Sequence, residues 1–196
     1  MDYLLNAYDY FRPGGPIMVL LLIISLWMWG LVFERLVAYW EIDRRDATLK
    51  EAVLLLGQGH PIPSAIGMCR QLIDGFLKAR TGESRLDRDI LEQQAMRQLP
   101  RIRRSLPTIT ILAATAPLMG LLGTVTGMVA TFDVIALFGT GNAKALSGGI
   151  SQALITTQSG LLVGIPGFFM SRLLSRRAQA IERRLNETVI ALKREL

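Results

Sequence analysis

The chain has 196 residues, 51% of them hydrophobic, a net charge of +6 and an isoelectric point of about 10.0. Such length and basicity would suit a soluble nucleic-acid binder, but long charge-free runs exclude that class and point to membrane spans flanked by orienting cations. A single Cys69 and a single His60 exclude an intrachain disulfide framework and a Cys-based metal cluster.

Residues 1–15 are polar and aromatic, with Tyr3, Tyr8, Tyr10 and Phe11 suited to a membrane interface, and are expected on the periplasmic side. Pro13-Gly-Gly-Pro16 breaks that segment. Residues 13–33 carry no charge, and 16–33 are read as the first transmembrane helix. A basic start and a small-residue cleavage site are missing, so the run is not read as a removed signal peptide. Glu34 and Arg35 close it, and Tyr39 and Trp40 follow as interface rings.

Residues 34–105 are read as a cytoplasmic helical domain, whose first 71 positions (34–104) hold 13 Lys/Arg and 10 Asp/Glu. Apolar residues recur at helical spacing: Leu49, Val53 and Leu56, then Ile66, Cys69, Leu72, Ile73 and Phe76. Turns are expected at 57–63 and at 81–84. Ser84 with Asp87 resembles a capping box that starts a helix. From Leu86 a helix is expected to run straight into the second span, bent at Pro100, Pro107 and Pro117.

The second span is placed at 106–132, inside a run of 28 residues without charge (105–132), and Asp133 closes it. Residues 133–145 are read as a short loop on the outer side, periplasmic if the membrane is a bacterial inner one. The third span is placed at 146–172, where 145–171 are again free of charge. Residues 173–196 continue as a cytoplasmic helix, with Ile181, Leu185, Val189 and Leu192 in helical register. Basic residues cluster after span one, before span two and after span three, whereas the opposite side has only Arg12 and Lys144. The positive-inside rule therefore places the N-terminus outside and both the central segment and the C-terminus inside.

The spans are rich in small and hydroxyl residues. Thr110, Ala113, Pro117, Gly120, Thr124, Gly127 and Thr131 follow one another at steps of three and four, forming one stripe. Gly123 and Gly127 make a GxxxG pair, and Gly160 and Gly164 make another, with Gly149, Ala153 and Thr157 near the same face. Most of these glycines read as plain helix packing. The threonines read equally well as packing or as the lining of a polar path.

No Asp, Glu, Lys, Arg or His lies within the three charge-free runs, so they contain no group that titrates near neutral pH. Ser159 has no His or Lys in the spans to act as its base, which argues against an intramembrane protease. No phosphate-binding Gly-Lys-Ser/Thr motif occurs. The chain is read as a non-enzyme without metal or cofactor.

Ala116-Pro-Leu-Met-Gly-Leu-Leu-Gly-Thr-Val-Thr-Gly-Met128, Gly149-Ile-Ser-Gln-Ala-Leu-Ile-Thr-Thr157 and Gly160-Leu-Leu-Val-Gly-Ile-Pro166 resemble the paired signature of the ExbB/TolQ/MotA proton-channel family. The short length and Thr131-Phe-Asp-Val-Ile135 are most similar to its ExbB branch, which serves TonB systems. The match covers roughly residues 107–175; span one and the central segment match in layout only.

The resemblance implies an all-α, three-span protein of the bacterial inner membrane that assembles as a homo-pentamer with long helical cytoplasmic extensions. It also implies an ExbD-like single-span partner in the pore, supplying an aspartate, and a TonB-like protein that receives the motion. Membrane lipids surround the assembly, and no nucleic acid is involved. By motif position, Thr124 and Thr157 match the pore threonines, and Pro117 and Pro166 the helix-bending prolines. Gln152 stands where many ExbB and TolQ chains carry Glu, and is read as a subunit-interface or polar pore residue. A TolQ-like role in envelope maintenance and a passive membrane scaffold are the alternatives; the MotA branch fits less well because its chains are longer.

Overall fold

A computed structural model describes residues 14–45, 68–139 and 143–194. Its long elements are α1 (Gly15–Arg45), α2 (Met68–Ala79), α3 (Ser84–Arg103), α4 (Leu106–Phe138) and α5 (Ala143–Arg194), and no strand occurs among the described residues. The expected interfacial segment up to Arg12, the apolar positions Leu49, Val53, Leu56 and Ile66, and the turn at 57–63 lie outside the described residues. Three helical stretches are long and apolar enough to cross a membrane. The chain divides into two units, Met1–Val32 with Pro107–Arg172, and Phe33–Leu106 with Leu173–Leu196.

In the first unit the backbones of α4 and α5 come close along a run of glycines. The Cα–H of Gly160 points at the Ala116 carbonyl, so close that a Cβ there would lie 2.7 Å from the oxygen. Gly127 and Gly149 face each other in the same way, each with its Cβ direction 2.6 Å from the other's carbonyl oxygen. At Gly123 a Cβ would overlap the Thr156 side chain, and at Gly164 it would lie 2.6 Å from the Pro117 ring. Small residues permit this approach, and Cα–H···O contacts add weak attraction along it. Against this pair α1 buries Ile17, Met18 and Leu21, which cluster with Ala116. Farther along, the Met28 sulfur occupies the space beside Gly167. Larger side chains such as Trp27, Leu118, Phe132, Leu162 and Phe169 are turned outward, as expected where lipid or another apolar surface replaces water.

The second unit has an apolar core of its own. Leu72, Ile73 and Phe76 of α2, Leu91 and Ile102 of α3, and Leu185 and Leu192 of α5 are essentially inaccessible. Burial of each such side chain contributes about 1.5–3 kcal/mol. Among its ion pairs, Arg184–Asp43 at 2.6 Å and Lys193–Glu92 at 2.6 Å lie at the surface, whereas the Glu182 that Arg103 holds at 2.6 Å is buried. Exposed pairs contribute about 0–1 kcal/mol each, so they set register more than stability. The end of α3 is held more firmly. The buried Tyr39 hydroxyl donates to the Ile102 carbonyl at 2.7 Å, and Arg35 Nη1 donates to the Arg101 carbonyl at 3.3 Å. These are among the carbonyls that a helix C-terminus leaves without intrahelical donors. Burial pushes the Tyr39 phenol above its ordinary range, which keeps the proton it donates.

Two expectations are corrected here. The helix of α3 does not run straight into α4. It stops at Arg103, and Ser105 takes the left-handed conformation, φ 64°, before α4 begins at Leu106. Pro107 then sits in the first turn of α4, where its missing N–H deprives the helix of nothing. Proline thus separates two helices here, whereas Pro100, Pro117 and Pro166 remain inside theirs. The second correction concerns Ser84. The residue before the α3 helix is Glu83, and no side chain caps it. Asp87 reaches backwards instead, accepting from Thr81 N at 2.8 Å, Thr81 Oγ1 at 3.0 Å and Gly82 N at 3.2 Å. A carboxylate one position too deep for a capping box has organised the preceding turn.

Those hydrogen bonds, led by the Thr81 amide and helped by Arg80, hold the Asp87 carboxyl below its ordinary value of 3.8. A depressed folded-state pKa adds stability that is complete above the unfolded value and disappears as pH falls through the folded one. Asp87→Asn should therefore melt below wild type at pH 7, and the two curves should converge below about pH 4; detergent-solubilised protein followed by circular dichroism against pH tests this. The glycine contacts give a second expectation. Gly160→Ala should lower stability by about 1–3 kcal/mol, because backbone must move. Gly148, with nothing within 4 Å of its Cβ direction, should accept alanine with no loss. The same melting assay compares them.

Candidate functional site

The polar surface within the spans is made almost wholly of hydroxyls. Helical Ser and Thr can return their proton to the carbonyl three or four residues earlier, which satisfies the hydroxyl without water. Thr124 Oγ1 donates to Leu121 O at 2.6 Å, and Thr126 Oγ1 to Gly123 O at 3.0 Å. Thr131 Oγ1 donates to Gly127 O at 3.0 Å, and Thr115 Oγ1 to Ile111 O at 2.8 Å. On α5, Thr157 Oγ1 faces Ala153 O at 3.0 Å and, across the helix pair, Gly120 O at 3.3 Å. Thr110 and Ser171 join the two helices directly, Oγ1 to Oγ, at 2.6 Å.

Among the residues singled out from the sequence, Gly120, Gly123, Gly127, Gly160 and Gly164 all lie on the α4–α5 contact. Pro117 lies there too, its ring seated over Gly164. With no N–H at 117, the Ala113 carbonyl loses its ordinary i+4 donor; this oxygen lies 3.2 Å from the Cβ direction of Gly164. Pro166 is exposed and takes no part in this contact. Thr157 bridges to Gly120, whereas the Thr124 hydroxyl bonds within its own helix, so the two threonines do not form one hydrogen-bonded unit.

Gln152 lies apart from both. Its carboxamide packs against the start of α1, where a Cβ on Gly15 would fall 2.7 Å from Nε2. Gly15 also has φ 63°, so two separate constraints favour glycine at that position. Five residues separate Gln152 from Thr157, about 140° of turn on a straight helix, which accounts for their different surroundings.

Thr156 was the residue that sequence reasoning missed. It is fully buried, fills the notch left by Gly123 and donates to Gln152 O at 2.9 Å and Ala153 O at 3.0 Å. Spacing contained the signal: Gly149, Ala153, Thr156, Gly160, Gly164, Gly167 and Ser171 continue at steps of three or four. Choosing Thr157 from the adjacent Thr-Thr pair hid the more buried member.

The model of the MotA/TolQ/ExbB proton channel family matches residues 67–187, more than half of the chain. A putative biopolymer transport protein ExbB-like 3 of Synechocystis is 34% identical over 162 residues, covering 78% of this chain and 77% of that protein. ExbB-like 1 of the same organism is 32% identical over 182 residues, with 85% and 69% covered. The biopolymer transport protein ExbB of Xanthomonas campestris is 33% identical over 101 residues, with 52% and 37% covered. The matched segment contains α4, the transmembrane part of α5 and the glycine contact between them, and on these grounds the chain belongs to the MotA/TolQ/ExbB proton channel family.

Proposed function

We propose that the chain is an ExbB-like subunit of an inner-membrane motor driven by the proton-motive force. With an ExbD-like single-span partner and a TonB-like protein, it energises uptake across the outer membrane. Five copies surround a pore lined by α4 and α5, with Thr124 and Thr157 towards the path and Pro117 and Pro166 shaping the helices. The observation that carries this reading is the pairing of two charge-free spans whose polar groups are hydroxyls and carboxamides. Such groups orient water but do not take up and release a proton near neutral pH. The titrating carboxylate therefore belongs to the partner. In a low-dielectric pore its pKa rises towards the working range. Relatives bearing the ExbB and ExbB-like names support this reading.

The N-terminus lies in the periplasm and the C-terminus in the cytoplasm, following the cations beside the spans. Gln152 serves the start of span one or a neighbouring subunit. Glycines 120, 123, 127, 160 and 164 hold the two pore helices at a fixed separation.

Liposomes containing this protein alone should show no proton leak above empty vesicles under an imposed gradient, and co-reconstitution with the partner should open one. A strong current from this protein alone would overturn the location of the proton site. Native mass spectrometry of the detergent-extracted complex should show five copies; a stable monomer would count against the pore. Thr157→Val should leave assembly intact and lower energised uptake by about tenfold, the effect of one lost hydrogen bond in a working site. Unchanged uptake would return Thr157 to a packing role.

A further inference from the structure

The second unit contains a cavity of about 530 Å³ that the proton-driven function does not use. Its size falls within the roughly 300–1,000 Å³ of ordinary small-molecule sites. Three arginines line it, Arg35, Arg101 and Arg104, opposed by Glu41 alone among the acidic lining residues. Gln71 and Gln98 add carboxamides.

Two polar atoms in these walls have no partner. Arg35 Nε and Gln98 Oε1 are both buried and unpaired. Arg35 as a whole is 6% exposed and Gln98 7%. The rest of the Arg35 guanidinium is engaged, Nη1 with the Arg101 carbonyl and Nη2 with Glu34. Both side chains belong to the cavity lining, which includes two further cations: Arg101, whose Nη1 donates to Gln71 Oε1 at 3.1 Å, and Arg104. A buried polar group left unpaired is costly, more so when charged.

The place of these residues in the sequence narrows the ligand. Arg35 is the second residue after the charge-free run ends at Phe33, and Arg104 immediately precedes the next run at Ser105. Both therefore stand where hydrocarbon gives way to headgroups. Arginine matches phosphate oxygens with a planar fork of donors. Ala38 and Ile42 provide an apolar wall beside the cations. We propose that this cavity binds the phosphate of an anionic phospholipid, phosphatidylglycerol in type. Arg35 Nε and Arg104 hold the phosphate, and Gln98 accepts from the headgroup hydroxyl. The site is a property of one chain and needs neither the pore nor the partner, so its test stands apart from that of the proposed function.

Delipidated protein complex in mild detergent is titrated with phosphatidylglycerol, with phosphatidylcholine and with inorganic phosphate, and bound molecules are counted by native mass spectrometry. One phosphatidylglycerol per chain should bind in preference to phosphatidylcholine. Arg104→Gln and Gln98→Glu should each weaken that binding about tenfold, the loss of one charge-assisted contact. Arg35→Gln risks the fold, because Arg35 also caps α3. Gln98→Glu avoids this problem: it leaves the Arg35 bond to the α3 carbonyl in place and adds a carboxylate to a lining with three arginines, so the variant should melt no lower than wild type while losing lipid. Equal lipid binding by wild type and both variants would overturn the proposal. Saturation by inorganic phosphate without lipid would overturn the lipid assignment, and equal binding of phosphatidylcholine would do the same.

Discussion

Close approach of the α4 and α5 backbones is the constraint on which the membrane part of this molecule depends. Lipid tails are as apolar as leucine, so helices in a bilayer gain little by hiding leucine from lipid. What remains is contact, and contact improves steeply as backbones come together. The glycines at 120, 127, 149 and 160 leave no side chain between carbonyl and Cα–H. Thr156 and Pro117 then fill the notches at Gly123 and Gly164. Once this pairing is set, the hydroxyls of Thr157, Thr110 and Ser171 are within reach of the opposite helix. Polar placement follows from glycine placement.

Outside the spans a different balance applies. There apolar burial drives the fold, and the inaccessible side chains of α2, α3 and α5 supply most of it. Ion pairs between arginine or lysine and carboxylates contribute little beside that. The exception is the end of α3, where Tyr39 and Arg35 satisfy carbonyls that would otherwise be stranded. A cation at a helix C-terminus is also favoured by the helix dipole. Arg35 therefore has a structural task as well as a face towards the cavity.

The three apolar helices are readable from the sequence because charge is costly in hydrocarbon, and its absence over more than twenty residues is hard to explain otherwise. The glycine contact is readable for a related reason: small residues at steps of three and four on two spans have few other uses. Finer choices are not readable. Whether Thr156 or Thr157 lies deeper depends on a rotation of about 100° that composition does not encode. The break at Arg104–Ser105 depends on a left-handed serine, a residue without the glycine or asparagine that would announce it. Asp87 sat at the spacing of a capping box, yet serves the turn before the helix. Spacing names the partners only when the helix start is already known.

The threonine hydroxyls have one more property. Thr115, Thr124 and Thr126 each have a backbone carbonyl of their own helix as hydrogen-bond acceptor. A hydroxyl has one proton, and these have given it away. What such an oxygen still presents to its surroundings is a pair of lone pairs. An oxygen of this kind accepts from hydronium or the O–H of water and attracts sodium, and it repels chloride. It favours one sign of ion without holding any charge, and without the desolvation cost that a fixed carboxylate would bring into the bilayer.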